Sequence, residues 1–237
     1  MKVKTETIIR TIVLILATWG ILMLLCRKAP KTMGAKDGLV CVGLSWIIMS
    51  IFGSLPFWFS REIPNYVDAF FETVSGFTTT GASILSDVEA LPWGMLYWRS
   101  FTHWVGGMGV LVFLLAVGPG EGNKGFTMHL LRAESPGPAV GKLVPKMRKT
   151  ATILYIIYIV LTTINIIFLL AGGMSALEAV CTAFGTAGTG GFGVRGDSLA
   201  SYSPYIQYVT AVFMLLFGIN FSCYYLLLIK QWKNVWK

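Results

Sequence analysis

The segment that most constrains the fold of this chain is residues 68–82. It lies between two apolar segments long enough to cross a bilayer, yet it is itself too short, and too polar at its end, to cross one. A helix over about residues 67–77 followed by Thr-Thr-Thr-Gly would leave extended backbone at membrane depth. Lipid excludes such backbone unless its carbonyl groups face protein or a water-filled pore. The segment is therefore predicted to be a re-entrant loop.

A second segment, residues 175–192, repeats this design later in the chain. With Asp68 aligned on Ser175, Phe77 matches Phe184 and Thr79 matches Thr186, and a glycine-rich exit follows in both copies. Threonine and glycine suit a filter in which backbone carbonyls replace the hydration shell of a cation. A single Thr-Thr-Thr-Gly would more simply be a helix end and a turn, but its repetition between apolar segments favours the pore interpretation.

The composition indicates a membrane protein. Hydrophobic residues make up 55% of the chain and charged residues 13%, whereas an average soluble domain has about 25% charged residues. Five segments are long enough to span the hydrocarbon layer: 8–26, 38–59, 97–117, Ala151–Ala171 and 205–229. The sequence thus predicts an all-α polytopic protein of the cell membrane, inner or plasma, with two helix–pore loop–helix repeats.

These segments define four parts of the chain. Residues 1–37 are predicted to form a transmembrane helix and a basic cytoplasmic loop, and 119–149 a second cytoplasmic loop. The first repeat covers 38–118 and the second covers 150–237. Lysine and arginine concentrate in 27–36, 124–149 and 230–237, which places these loops inside and both re-entrant loops outside. The basic residues at the N-terminal end of the first span, Lys2, Lys4 and Arg10, oppose this orientation.

Acidic residues gather on the predicted outer side, including Glu72 and Glu178 within the two re-entrant segments, where they could concentrate cations. Enzyme chemistry is not expected, because His103 and His129 have no acidic or cysteine neighbours at ligand spacing and no Ser/His/Asp set converges. Nothing resembles a nucleic-acid module. The glycines of residues 103–109 are expected to allow close helix packing.

Several motifs carry a family resemblance. Ala-Phe-Phe-Glu at 69–72, Ser-Gly-Phe-Thr-Thr-Thr-Gly-Ala at 75–82, Trp-Val-Gly-Gly-Met-Gly at 104–109, Leu-Arg-Ala-Glu-Ser-Pro-Gly-Pro at 131–138 and Thr-Gly-Gly-Phe at 189–192 are found together. The chain thereby resembles the TrkH-like membrane subunit of bacterial Trk-type potassium uptake systems, within the Trk/Ktr/HKT superfamily. The resemblance extends almost end to end.

The resemblance implies one pore built from four helix–pore loop–helix repeats, each of which supplies a filter strand. Potassium would then be the transported ion, bound at Thr79, Thr80, Thr189 and Gly190, and no organic cofactor is implied. The implied strands are Thr79, Thr80 and Gly81 in the first repeat and Thr189, Gly190 and Gly191 in the second, with Thr78 and Gly188 beside them. A match of the two repeats without a gap would instead select Gly188 in the second strand.

The chain departs from the family in having two repeats, so it resembles an N-terminal half. The alternatives are a truncated or split non-conducting fragment that needs a C-terminal half, and a transporter of sodium or another monovalent cation. By resemblance, the partners would be membrane lipid, a second copy in a homodimer, a C-terminal half and a cytosolic, nucleotide-binding, TrkA-like regulatory subunit. No nucleic acid is expected.

Overall fold

The computed structural model describes residues 5–25, 35–109 and 147–228, and these parts contain helices, turns and loops but no strand. The helices follow in chain order: α1 Thr5–Leu25, α2 Ala35–Gly53, α3 Leu55–Ser60, α4 Tyr66–Phe77, α5 Trp93–Met108, α6 Met147–Ala171, α7 Ala176–Ala187, α8 Pro204–Gly218 and α9 Phe221–Leu228. The all-α fold class is as predicted. The predicted cytoplasmic loop 119–149 and the basic tail 230–237 lie almost wholly outside the described residues.

Two stretches among these helices are long and apolar enough to cross a membrane, Val42–Ser60 and Ala151–Ala171. Shorter apolar helices cover Ile9–Thr18 and Pro204–Gly218. The third predicted span begins in α5, but its remainder beyond residue 109 lies outside the described part of the chain. Two of the five predicted spans are thus found as long apolar stretches.

Two predicted spans are irregular. In the second, a turn at Ser54 separates α2 from α3, but Ser54 keeps helical dihedral angles (φ −80°, ψ −19°), so the apolar stretch Val42–Ser60 continues through it. Pro56, in the first turn of α3, has no N–H to donate to the preceding helix. The fifth span breaks after Gly218, where Ile219 adopts an extended conformation with ψ of 138° before α9 begins. Continuous hydropathy concealed both features, because the residues on either side of each are apolar.

The helices form two similar units, and helix α5 contacts both of them. In the first unit α4 packs against α2 and α5, and in the second α7 packs against α6 and α8. Helix α5 also packs against α7, so it contacts the short helices of both units. Separate apolar clusters underlie them, one around Phe57 and Leu96 and another around Leu169 and Ile206. The loops that follow α4 and α7 therefore both lie near α5.

The structural register of the two units differs from the register predicted by sequence. Asn65 caps α4 as Ser175 caps α7, and the chain turns to positive φ at Thr79 in the first unit and at Thr189 in the second. The expected pairing of Thr79 with Thr186 is therefore wrong by three residues. The sequence match of Ala69 with Ala176 and of Phe77 with Phe184 favoured the wrong register, because both short helices contain many small and apolar residues that match in more than one alignment.

Candidate filter site

Each short helix begins at a residue whose side chain caps its N-terminus. The Asn65 side chain accepts a hydrogen bond from the Val67 N–H at 3.0 Å, and the Ser175 hydroxyl accepts one from the Glu178 N–H at 3.4 Å. These side chains satisfy backbone donors that a helix N-terminus leaves free. Equivalent caps in the two units mean that the helices begin, and hence end, at equivalent places.

Each short helix is followed, directly after its C-cap, by a threonine with left-handed backbone. Thr79 has φ of 54° and Thr189 has φ of 58°, a region that a β-branched residue rarely occupies. Their N–H groups donate to the carbonyls of Gly76 and Thr186, each at 3.0 Å. Left-handed backbone costs a non-glycine residue on the order of 1–2 kcal/mol. The surrounding structure must hold both threonines there, and such strain clusters at functional sites.

Positive φ returns two residues later in each loop. Gly81 and Gly191 both have φ of 76°, which glycine adopts without steric cost. The intervening residues, Thr80 and Gly190, do not have positive φ. The two loops therefore share one backbone pattern over three residues. We call residues 78–81 the first strand and residues 188–191 the second strand.

The two strands contact each other through their backbones. A Cβ atom added to Gly81 would overlap the carbonyl oxygen of Gly190, and one added to Gly190 would overlap the carbonyl oxygen of Thr79. Such an approach is possible because neither glycine carries a side chain. The structure thus brings together the residues that the family resemblance had selected from distant parts of the sequence.

Thr78 and Gly188 are the C-caps of the two helices. The Thr78 N–H donates to the Val74 carbonyl at 2.8 Å, and the Gly188 N–H donates to the Phe184 carbonyl at 3.1 Å. The Thr78 hydroxyl also lies 2.7 Å from the Thr80 hydroxyl. These two residues therefore connect each short helix to its strand, as their predicted position beside the strands requires.

One face of α5 supports both strands from behind. Arg99, His103, Gly106 and Gly107 recur at the helical spacing that places residues on one side. Fully buried His103 accepts a hydrogen bond at Nε2 from the Gly190 N–H at 3.2 Å. Nitrogen Nε2 is then the acceptor of the ring, and His103 anchors the second strand.

The glycines of α5 allow close approach of the two re-entrant loops as well as of a neighbouring helix. A Cβ on Gly106 would overlap the carbonyl oxygen of Phe77, at the end of α4. A Cβ on Gly107 would lie 2.9 Å from Cα of Gly188 and 2.6 Å from the Tyr158 hydroxyl. The expectation of helix packing is therefore incomplete, because each glycine also contacts the backbone that leads into one strand.

A buried ion pair lies beside the exits of the strands. Arg99 Nε donates to Glu72 Oε1 at 2.6 Å, and the two side chains are 4% and 0% exposed. Glu72 also accepts hydrogen bonds from the Ser83 hydroxyl at 2.9 Å and from the Ile84 N–H at 3.0 Å. Arg99 Nη1 donates to the Gly193 carbonyl at 2.8 Å. Glu72 is therefore not part of an acidic vestibule, as had been expected, because its charge is buried and paired.

The second unit has an acidic residue in a different setting. Glu178 accepts hydrogen bonds from the hydroxyls of Ser175 at 2.8 Å and Tyr202 at 3.0 Å, and from Arg195 at 3.0 Å. Burial by itself raises the pKa of Glu178, but these hydrogen bonds and the Arg195 charge outweigh it and lower the pKa. Because the folded pKa is the lower one, this stabilisation is complete above the unfolded pKa and is lost as pH falls through the folded pKa.

The supporting residues of α5 were not identified from sequence. Arg99 lies in the third predicted span, and the sequence assigns no partner to it or to His103. A signal was available, since a charged residue within an apolar segment normally has a buried partner or a function. Among the described residues no group of three or more His, Cys, Asp or Glu side chains could hold a metal ion.

Comparison with known proteins agrees with this architecture. A family model described as TrkH, a cation transport protein, matches residues 4–237. The Trk system potassium uptake protein TrkH of Escherichia coli K12 is 38% identical over 216 residues, which are 89% of this chain and 44% of that protein. The potassium uptake protein TrkG of the same organism is 33% identical over 208 residues, 86% of this chain and 42% of that protein.

A solved structure is also similar. The crystal structure of the potassium transporter TrkH from Vibrio parahaemolyticus superposes with a TM-score of 0.75 at 30% identity, over 92% of this chain and 43% of that one. The chain thus spans less than half the length of these relatives. The matching proteins are transporters, in agreement with the expectation that the chain is not an enzyme. On this match over nearly its whole length, the chain belongs to the TrkH family of cation transport proteins.

Proposed function

We propose that this chain forms part of a membrane transporter that takes up potassium ions. In this proposal the backbone carbonyls and threonine oxygens of residues 78–81 and 188–191 line the pore and replace part of the hydration shell of the ion. Thr79, Thr80, Thr189 and Gly190 supply the ligands. Potassium is the transported substrate, and the proposal requires no organic cofactor.

The observation that carries the proposal is the pair of left-handed threonines at equivalent positions, Thr79 and Thr189, each two residues before a left-handed glycine. A row of cation-binding carbonyls requires backbone held in an unusual conformation, and residues held in such conformations cluster at functional sites. A plain helix end would need a single left-handed residue, preferably glycine. Strained threonine in both units is better explained by a shared function of the strand.

Two strands surround an ion only in part. An ion that has lost its water needs oxygen ligands on all sides, and missing ligands cost on the order of several kcal/mol. We therefore propose that two further strands, from a C-terminal half, complete the pore. A chain that lacks them would be a non-conducting fragment. The main alternative cargo is sodium, because carbonyl ligands bind either ion and their spacing decides which is preferred.

The proposed setting follows the family resemblance. The transporter would cross the inner or plasma membrane several times and contact lipid, and it would associate as a homodimer with a cytosolic, nucleotide-binding, TrkA-like subunit. The apolar stretches Val42–Ser60 and Ala151–Ala171 support the membrane location. The relatives named as parts of Trk systems support a multi-component assembly.

The test uses a bacterium deficient in potassium uptake. The chain is expressed alone and also joined to a matching C-terminal half, a form that we call the completed transporter. We expect rubidium uptake, and growth at low potassium, from the completed transporter and not from the chain alone. Parallel sodium uptake separates a potassium transporter from the sodium alternative, which predicts the opposite preference.

Two outcomes would contradict parts of the proposal. Rescue by the chain alone as a monomer would show that the pore needs no further strands. Rescue by the chain alone as a dimer would show that two copies complete one pore. If the completed transporter reaches the membrane but carries neither rubidium nor sodium, the proposed function itself is wrong.

A further inference from the structure

The Glu72–Arg99 ion pair connects parts of the molecule that the filter proposal leaves unconnected. Glu72 is on α4, ahead of the first strand, and Arg99 is on α5. The carboxylate of Glu72 also holds Ser83 and Ile84, which follow the first strand directly. One buried pair therefore fixes both the approach to the first strand and its exit.

The same pair reaches the exit of the second strand. Arg99 Nη1 donates to the Gly193 carbonyl, two residues after the end of that strand. The Arg99 guanidinium carbon also lies 3.6 Å from the ring centroid of buried Phe192, a distance at which cation and ring attract each other. A single guanidinium thus contacts residues from both re-entrant loops.

Resting on the function proposed above, we propose that Glu72 and Arg99 are positioning residues for ion selection. Their ion pair sets the distance between the two strand exits, and through it the spacing of the carbonyls that contact the ion. Neither side chain contacts the ion in this proposal. The effect on selectivity is transmitted through Ser83 on one side and Gly193 on the other.

The chemistry of the pair suits this role. A buried ion pair is often no more stabilising than apolar residues of the same volume, so stability alone is a weak reason to place one here. It does impose geometry, because each buried charge must keep its partners. Arginine has a rigid planar fork that can donate to Glu72 and Gly193 at once, whereas the single ammonium of lysine is a point charge.

The chain contains a matched control in the second unit. Glu178 and Arg195 form an ion pair of the same type at 3.0 Å, with side chains 15% and 36% exposed. That pair connects the start of α7 to the loop after the second strand. It does not contact the residues that follow the first strand, so it cannot set the spacing between the two exits.

The experiment measures rubidium and sodium uptake in parallel for the completed transporter. The variants are Glu72→Gln, Arg99→Lys and Ser83→Ala, and the control is Glu178→Gln. We expect the first two to lower the rubidium-to-sodium ratio by about threefold or more. Glu72→Gln leaves the Arg99 charge buried without its partner, and the lysine of Arg99→Lys lacks the planar fork that donates to Glu72 and Gly193 at once. Ser83→Ala removes one hydrogen bond and should lower the ratio by about twofold or less. The control should leave the ratio unchanged.

The ratio is independent of the amount of transporter in the membrane, so a purely structural loss would lower both uptakes equally. Ser83 is exposed, and its variant should fold even if Glu72→Gln does not. With an active parent, an unchanged ratio in both Arg99→Lys and Ser83→Ala would overturn the positioning role and leave the filter proposal intact. A parent that carries neither ion would instead contradict the proposed function.

Discussion

At the residue scale, the two strands depend on positions where only a small residue fits. Gly81 has φ of 76°, and a Cβ added to it would overlap the Gly190 carbonyl oxygen. Any side chain there is strained by its backbone and also overlaps the neighbouring strand. By contrast, Gly196 lies in the loop beyond the second strand and has no atom within 4 Å of an added Cβ.

We therefore predict that Gly81→Ala in the completed transporter lowers the rubidium-to-sodium uptake ratio by roughly tenfold, because the displaced carbonyl can no longer match the larger ion. Gly196→Ala should leave the ratio unchanged. Uptake of both ions, with transporter quantified in the membrane, measures the effect. If Gly81→Ala keeps the parental ratio, residues 78–81 do not form the filter and the simple turn interpretation is correct.

At the element scale, α5 links the two units. Gly106 contacts the end of α4, Gly107 contacts the start of the second strand, and His103 accepts a hydrogen bond from that strand. The Tyr158 hydroxyl of α6 donates to the Trp104 carbonyl at 2.8 Å and holds this part of α5 from the other side. The Gly107 position is thus enclosed on two sides.

For Gly107→Ala we predict a loss of about 1–3 kcal/mol in stability, because the added methyl group would press on Tyr158 and on the Gly188 backbone. We also predict a lower rubidium-to-sodium ratio, since Gly188 directly precedes Thr189. Thermal unfolding of the detergent-solubilised protein measures the first effect and paired uptake the second.

The control for this element is Gly43→Ala in α2, where an added Cβ meets no atom within 4 Å. Alanine favours helix over glycine, so this variant should be neutral or slightly more stable. If Gly107→Ala were as stable as Gly43→Ala, the close contact between α5 and the second loop would be absent from the protein in solution.

The elements show what the sequence could predict. A helix over 67–77 was expected and α4 covers Tyr66–Phe77, because apolar spacing and the Thr-Thr-Thr-Gly exit are local signals. The register between the two units follows the caps at Asn65 and Ser175, which are local signals, but the repeated alanine and phenylalanine residues favoured an alignment shifted by three positions. The strand residues were selected by resemblance, whereas the contacts of Arg99 and His103 arise only when α5 packs against both loops.

At the scale of the whole molecule, the orientation in the membrane remains a prediction. Basic residues concentrate in 124–149 and 230–237, and cytoplasmic loops carry such an excess. We predict that residue 123 is cytoplasmic and that Glu89 is external. A single cysteine at either position, in a background without the native cysteines, should react differently with an impermeant maleimide.

In intact cells the cysteine at residue 89 should be labelled, and that at residue 123 should be labelled only after the membrane is permeabilised. The described structure supports Glu89 as an accessible position, because this residue is exposed and its carboxylate only accepts a long hydrogen bond of 3.4 Å from the Gly196 N–H. The reverse labelling pattern would invert the topology, and uptake would then have to proceed from the other face.

The contacts of α5 with the second loop have a consequence for how the two units can diverge. Apart from the Phe192 ring, which lies against Arg99 and His103, helix α5 meets that loop through backbone groups, namely the Gly190 N–H, the Gly193 carbonyl and the Gly188 Cα. Backbone groups are the same whatever the residue, so substitutions in the second loop need not be matched by changes in α5 while the loop stays small at these points. The two units can therefore differ in sequence, and at these backbone contacts the size of the side chain, rather than its chemical type, limits substitution.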